Sequence, residues 1–462
     1  MNKFGRFLLP IIVFAMLLGA CAPAATPAPT QPAPAAQPTQ APAAQPTNAP
    51  VAAPAGGAPV KIEFWTLLTG SLGDQLNTMI NEYNASQNKV QIVNVNQGSY
   101  EALQAKLLAA VAAGAPPAVL MTDYKYVPFY AQKGIFEPID NLASKEDMAD
   151  FIPGLLVDLT YQGKVYAVPF NRSTQVLYYN KDMFKAAGLD PEKPPTTWDE
   201  FRTVACKLTD ASKGQFGAYA GGNMGWFFEP FVYQAGGQVS DADSNWTFQD
   251  DKGVQAAKYL QDLANKDKCT VVPANLTGTF DQRDMEFLTG KVAMMRDSTA
   301  LQSTVATSAK FNWGLASLPA GPGGSAITTG GGNIAITAKS SPEQKAAAWD
   351  FVRFLTGTQK SAQWFMATGY MPTRQSVMAL PEVQAFEKTH PSYQIAVQEL
   401  TKIHPTAVGI LNAPEWTTVI PAALDRIIIN NEDPATVLKQ AAADMQKTID
   451  AARAAGTLIK TQ

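Results

Sequence analysis

Flat aromatic rings in turn-rich surroundings are the side chains of this sequence best suited to chemistry, and that chemistry is recognition. Trp65, Tyr124, Trp226, Tyr370 and Trp416 fall in segments read as loops rather than on regular apolar stripes. Trp226 follows a glycine-rich run, Tyr370 lies between Gly369 and Pro372, and Trp416 follows Pro414. A polyhydroxylated ligand such as a sugar offers apolar C–H faces ringed by hydroxyls. Its cleft needs aromatic rings for the faces and Asp, Asn, Arg or backbone groups for the hydroxyls. Polar candidates stand beside predicted strand ends: Asp123 with Tyr124, the trio Arg296, Asp297 and Ser298, and the turn-prone start Asn171, Arg172, Ser173. Trp349 and Trp364 recur at helical spacing and are expected in the core.

Signatures of other chemistry are incomplete. Asp241-x-Asp243-x-Asn245 has the oxygen spacing that opens a calcium loop, but Trp246 stands where Gly is needed and Lys252 where the bidentate Glu is needed. Gly330-Gly331-Gly332 is followed by neither a phosphate-loop lysine nor a dinucleotide fingerprint helix. The sequence has no Gly-x-Ser-x-Gly, no His-Glu-x-x-His and no acid–base pair that it nominates by itself. His390 and His404 each precede a proline and read as solvated loop histidines. With two histidines and three cysteines, neither a transition-metal site nor a cofactor is expected. A glycoside hydrolase with an aromatic cleft is the rival of a different class, with Asp123 and Asp297 as the carboxylates to test. A structural surface lipoprotein is a third.

The ends of the chain place those residues outside the cytoplasm. Lys3 and Arg6 precede a short apolar run, Phe7 to Ala20, interrupted by Pro10. That is too short for a membrane span and fits an export signal. Leu18-Gly19-Ala20-Cys21 resembles a lipobox, which makes Cys21 the expected lipidation site. Ala22 to Pro59 is Ala, Pro, Gln and Thr with scattered Val, Gly and Asn, without charge or aromatics, and reads as an extended tether. The remaining stretch of about 400 residues is long enough for two separate cores. It is mildly acidic, which argues against a nucleic-acid partner. A monomer is expected. Cys206 and Cys269 are equally compatible with a disulfide and with a buried free thiol.

Several elements must position the candidates. Val60 to Trp65, Val90 to Val95 and Ala118 to Met121 read as strands, with helices between them at 70s–80s and Tyr100 to Ala113. This β-α-β-α-β order predicts a mostly parallel sheet with helices on both faces, whose ligand lies beyond the carboxyl ends of the strands. Gln175 to Tyr179 is the next clear strand. Asn180 to Asp182 stop it, a short helix ends at Gly188, and Thr197 with Glu200 forms a capping box for a further helix. Val292 to Met295 and Ile334 to Ile336 are strands, the latter after a glycine-rich loop. Ser341-Pro342-Glu343-Gln344 starts a helix.

The run from Pro169 to Phe201, with KVAMMRD (291–297), GGNIAIT (331–337) and GYMPT (369–373), resembles extracellular solute-binding proteins of ABC importers. The likeness is strongest to the branch of sugar and glycerol-3-phosphate binders and runs from about Val60 to the C-terminus. It implies an α/β fold of two lobes, each a sheet flanked by helices, joined by crossing hinge strands. It places 60–170 and 296–338 in the N-terminal lobe, and 171–295 and 339–462 in the C-terminal lobe. It implies a non-enzymatic receptor that captures a sugar or oligosaccharide between the lobes and hands it to the permease, held on the membrane through Cys21 in a periplasm or on an outer surface. By position, Tyr100, Tyr124, Ser173, Trp226, Ser298, Gly332 and Tyr370 match ligand contacts of the glycerol-3-phosphate binders. Asn333 neighbours Gly332 in the same motif, and Trp416 falls where maltose-type binders stack a tryptophan. A phosphate-binding arginine of that branch is missing from Gly409-Ile410-Leu411-Asn412, and Asn223 replaces a second tryptophan. Glycerol-3-phosphate or a glycerophosphodiester is therefore the alternative ligand, with Arg172 or Arg296 as substitute anchors.

Overall fold

A computed structural model describes residues 59–220, 224–274, 276, 280–413 and 415–460. Cys21, the tether up to Ala58 and Asn223 lie outside them. Among the described residues no helix is long and apolar enough to cross a membrane.

The first sheet is built from β1 (Val60–Thr66), β2 (Val90–Asn96) and β3 (Val119–Asp123), all parallel. Helix α1 (Gly70–Ser86) and helix α2 (Tyr100–Ala112) form the crossovers. Ser99 caps α2 by accepting from the Ala102 N–H, which fixes where Tyr100 begins the helix.

A single strand, β4 (Val168–Asn180), then runs through both halves of the molecule, and each of its thirteen residues is buried. The turn-prone start expected at 169–173 is extended strand. Its backbone pairs with a strand far along the chain, and that pairing overrides the local preference of Pro169, Asn171 and Ser173. The second sheet continues with β5 (Phe216–Tyr219), β6 (Thr270–Val271), β7 (Val292–Ser298) and β8 (Trp313–Ser317). Strand β9 (Thr329–Ile336) returns to the first sheet, antiparallel to β3. Gly330, Gly331 and Gly332 of the glycine-rich run before residue 334 are thus part of β9. Residues 168–174 of β4 pair with β9, whereas residues 175–180 pair with β7 on one edge and β8 on the other. The strand order is β2-β1-β3-β9-β4-β7-β5-β6, with β8 beside β4.

Side-chain alternation sorts the faces. In the first sheet Ile62, Phe64, Val119, Met121, Ile334 and Ile336 pack on Leu76 and Ile80 of α1. They also pack on Phe351, Val352 and Leu355 of α6 (Pro342–Thr356) and on Trp364 of α7 (Thr358–Thr368). The expectation that everything after Ala338 joins the second lobe does not match this packing. The apolar stripes of α6 and α7 complete the first core, while Arg296–Ser298 and β8 pair in the second sheet. In that sheet Leu177 and Tyr179 face α3 (Trp198–Leu208), whereas Val176 and Tyr178 face Phe287 and Met295. A helical core joins α4 (Met224–Gln234), α5 (Asp251–Gln261), α8 (Trp416–Ile428) and α9 (Pro434–Ala454).

The expected caps are present. Thr197 accepts from the Glu200 N–H, and the Glu200 carboxylate returns to Thr196. Ser341 and Gln344 form a reciprocal capping box. Cys206 and Cys269 are joined in a disulfide, with their Cα atoms 4.7 Å apart.

Candidate functional site

The polar centre of the molecule lies where β4 passes from one sheet to the other. Arg172 is 1 % exposed. It donates from Nη1 to Asn333 Oδ1 at 2.9 Å and from Nη2 to the Thr329 hydroxyl, and its guanidinium lies 5.1 Å from the Tyr124 ring centre. Its Nε has no hydrogen-bond partner. Burial pulls its pKa below the usual arginine range, while Asp158, Tyr124, Asp123 and Tyr100 oppose that shift.

Close approach of β9 to β4 brings the candidates together. Gly331 has φ +83°, and a Cβ there would stand 1.8 Å from the Asn171 carbonyl oxygen. Only glycine tolerates both conditions. The same geometry locates the neighbours. The Cβ position of Gly332 is 2.5 Å from Tyr100 Oη and 2.6 Å from Asn171 Oδ1. That of Gly330 is 2.7 Å from the Trp226 ring and 3.1 Å from Ser173 Oγ. Trp226 stands in α4 rather than in a loop, and its Nε1 donates to the Thr329 carbonyl at 3.1 Å. Burial raises the pKa of Tyr100 and Tyr370, and Asn171 is near enough to both phenols to work against that. Tyr100 Oη and Asn171 Oδ1 nevertheless complete no well-formed hydrogen bond within the protein. Tyr370 stacks on Trp364, ring centres 5.8 Å apart.

Charges ring this locus. Asp123 pairs with Lys125 at 3.0 Å. Burial opposes the Lys125 charge, but Asp123, Tyr126 and Glu229 more than offset it, and its pKa is raised. Burial raises Tyr124, and Glu229, Asp123 and Asp158 add to the effect. Asp158 is raised by burial and accepts from the Thr406 hydroxyl at 2.9 Å. Glu229, on α4, is 2 % exposed, and its Oε2 has no hydrogen-bond partner. Burial pushes its pKa up to about 8, with Lys125 opposing and Asp158 and Asp123 adding.

Of the sequence candidates, Tyr100, Asp123, Tyr124, Asn171, Ser173, Trp226, Gly332, Asn333 and Tyr370 come together here. Five do not. Trp65 is half-buried in β1, and its indole N–H donates to Glu63 at 3.1 Å. Arg296 spreads over Phe231 at 4.5 Å on the α3 face of the second sheet. Asp297 pairs with Arg283. Ser298 caps Ala300 and takes the Tyr178 hydroxyl on its carbonyl at 2.8 Å. Trp416 is a core residue, 1 % exposed, stacked 5.5 Å from Trp246 and donating to the Gly225 carbonyl at 2.8 Å. Gly409–Asn412 packs beside it: Gly409 N–H donates to Ser240 and Asn412 to Ser244. His404 and His390 lie outside helices and strands as expected, His390 exposed, and stack on Tyr233 and Phe386.

Arg172, a polar candidate and a possible anchor in the sequence, stands at the centre of the locus, and Glu229 was missed. Glu229 carried a signal: it is the one charge in the apolar run Trp226-Phe-Phe-Glu-Pro-Phe-Val-Tyr233. A carboxylate inside such a run is buried for a reason or not at all.

Buried polar groups thus converge on one point, a lining that suits a polar small molecule. The family described as bacterial extracellular solute-binding protein matches residues 78–391. The sn-glycerol-3-phosphate-binding periplasmic protein of Pectobacterium atrosepticum is 30% identical over 408 residues, covering 83% of this chain and 90% of that one. The Mycobacterium tuberculosis protein UgpB, solved in complex with glycerophosphocholine, superposes with a TM-score of 0.77 at 26% identity over 86% of this chain and 99% of that one. Maltose-bound MalE3 of T. maritima does so with a TM-score of 0.74 at 25% identity, over 84% and 99%. The fold is that of periplasmic binding proteins, and the chain belongs to the bacterial extracellular solute-binding proteins, which bind small molecules outside the cytoplasm and deliver them to ABC permeases.

Proposed function

We propose that this chain is a receptor that captures a sugar or oligosaccharide at the β4 crossing and hands it to the transmembrane subunits of an ABC importer. Two lobes, organised on the two sheets, close over the ligand. The observation that carries the reading is the convergence of Trp226, Tyr100, Tyr370, Asn171 and Arg172 on the glycines of β9, an aromatic and hydrogen-bonding set suited to a ring of hydroxyls. Closure is a population shift: ligand that touches both halves only when they are together stabilises that state by its differential affinity. No catalytic step is part of this reading.

The second reading, a glycerol-3-phosphate or glycerophosphodiester receptor, is favoured by the relatives' names and by the buried Arg172. Local charge weighs against it. Asp123 and Asp158 act on Tyr124 beside Arg172 and Lys125, burial keeps Glu229 protonated at neutral pH, and Arg172 already spends both Nη groups on Asn333 and Thr329. A dianion placed there meets carboxylates in a low-dielectric site. Calorimetric titration with a carbohydrate panel, sn-glycerol-3-phosphate and glycerophosphocholine separates the two. Heat with a phosphate ester and none with any carbohydrate overturns the sugar reading.

Anchoring at Cys21 completes the proposal, with the Ala/Pro-rich stretch as the spacer between membrane and receptor. Cys21→Ala should release the protein from the membrane fraction; retention of the variant there refutes the anchor.

A further inference from the structure

Helix α4 carries more than Trp226 and Glu229. Trp226, Glu229 and Tyr233 are spaced i, i+3 and i+7, so they line one face of the helix. At 1.5 Å rise per residue, Trp226 and Tyr233 stand about 10 Å apart along that face, farther than one hexose ring reaches. Trp226 meets Gly330 and Ser173 at the β4 crossing. Glu229 acts on Tyr124 and Lys125. Tyr233 reaches a separate pocket of about 510 Å³.

That pocket is lined by Asp158, Thr160, Tyr233, Ser240, Asp241 and His404 among others. Tyr233 is 6 % exposed, and its hydroxyl has no hydrogen-bond partner. The His404 ring stacks on Tyr233 with centres 3.6 Å apart. Its Nδ1 faces the Pro405 carbonyl at 2.9 Å and donates to it. Asp158 takes the Thr406 hydroxyl on Oδ2. It also acts on both Arg172 and Tyr233, so it stands between the crossing and the pocket. Both donors and acceptors line a space large enough for a sugar ring, and the two carboxylates disfavour an anion.

We propose that this pocket is a second ligand subsite, which takes a further ring of a neutral oligosaccharide whose first ring lies against Trp226, Asn171 and Arg172. The assignment rests on the sugar-receptor reading above and adds a minimum length to it: the ligand has at least two rings, laid along α4.

The test is calorimetry on the purified protein with α- and β-linked gluco-, manno- and galacto-oligosaccharides, each beside its monosaccharide. The best oligosaccharide should bind at least about tenfold more tightly than its monosaccharide. Tyr233→Phe and Asp158→Asn should each shrink that ratio by about fivefold, as expected for loss of one hydrogen bond. Thr160→Trp, which fills the pocket, should shrink it further, with circular dichroism confirming that each variant is folded. A ratio near one in the wild-type protein, or equal losses for short and long ligands in all three variants, overturns the second subsite while leaving the sugar receptor standing. Absence of binding to any carbohydrate removes the receptor reading and the subsite with it.

Discussion

Glu229 permits a quantitative test of how the crossing is built. Burial raises its pKa from 4.5 to about 8. Each pKa unit corresponds to about 1.4 kcal/mol, so the ionised form is disfavoured in the folded protein by on the order of 5 kcal/mol. The folded state therefore binds this proton more tightly than the unfolded chain does. Between pH 4.5 and about 8 the native protein holds the proton and the unfolded chain releases it, so this group's contribution to stability falls as pH rises, by up to about 1.4 kcal/mol per pH unit. Below that window the contribution is full, and above it the loss is complete. Glu229→Gln keeps the shape and cannot ionise. Urea unfolding of both proteins from pH 4 to 9 at constant ionic strength should give a stability difference that is flat at the acid end, widens in favour of the variant through the window and levels off above it. Asp297, whose pKa burial raises, titrates in both proteins and cancels in the difference. Two stability–pH curves that stay parallel would refute the reasoning, since they would mean that Glu229 ionises freely in the folded state.

Three further outcomes follow from the geometry. Trp416→Ala should cost about 3–5 kcal/mol of stability in urea unfolding, the usual loss for emptying a buried indole site, and leave ligand affinity of the folded protein unchanged; collapse of affinity at unchanged stability would return Trp416 to the binding site. Gly331→Ala should lose more than about 2 kcal/mol, because the left-handed backbone alone costs about 1–2 kcal/mol and the added Cβ drives into the Asn171 carbonyl; a urea midpoint within error of wild type would show that β9 and β4 are not held so closely. Replacing Cys206 and Cys269 together by serine should destabilise the protein by about 2–5 kcal/mol, through the freedom restored to the unfolded chain, read as a lower midpoint that matches the wild type under reductant.

Elements with strong local signals were legible in the sequence. Ser341 and Gln344 declare the start of α6, and Thr197 that of α3, because capping is a property of neighbouring residues. Asp123 and Tyr124 were placed at a strand end by periodicity alone. What depends on remote pairing was not legible. Asn171, Arg172 and Ser173 have the composition of a turn, and only β9, about 160 residues later, makes them strand. Trp416 was misread because Pro414 drew attention to a loop. Its spacing to Ile420, Leu424 and Ile427 is that of a helix face, and that face is the core. The boundary near residue 339 failed for a related reason: the cap at Ser341 announces a helix but not the sheet on which its apolar face will pack.

The crossing itself ties these points to function. Asn171, Arg172, Ser173, Thr174 and Gln175 are five consecutive polar residues, none more than 3 % exposed. A buried strand is ordinarily apolar on both faces. Partners inside the protein satisfy only part of this one. Gln175 is fully engaged, by Thr328 and the Trp226 carbonyl. Arg172 Nε and the Thr174 hydroxyl are not, and neither is Glu229 Oε2 across the gap. Each unpaired buried group costs about 1–3 kcal/mol, and on the receptor reading proposed above that cost falls on the closed state. A solvated, separated arrangement does not bear it. A ligand that supplies the missing partners therefore lowers the free energy of the closed state selectively, which is the differential affinity that a capture-and-release receptor requires. On that reading, the same features that made β4 hard to read as a strand, its polar side chains and its dependence on distant glycines, make closure responsive to ligand.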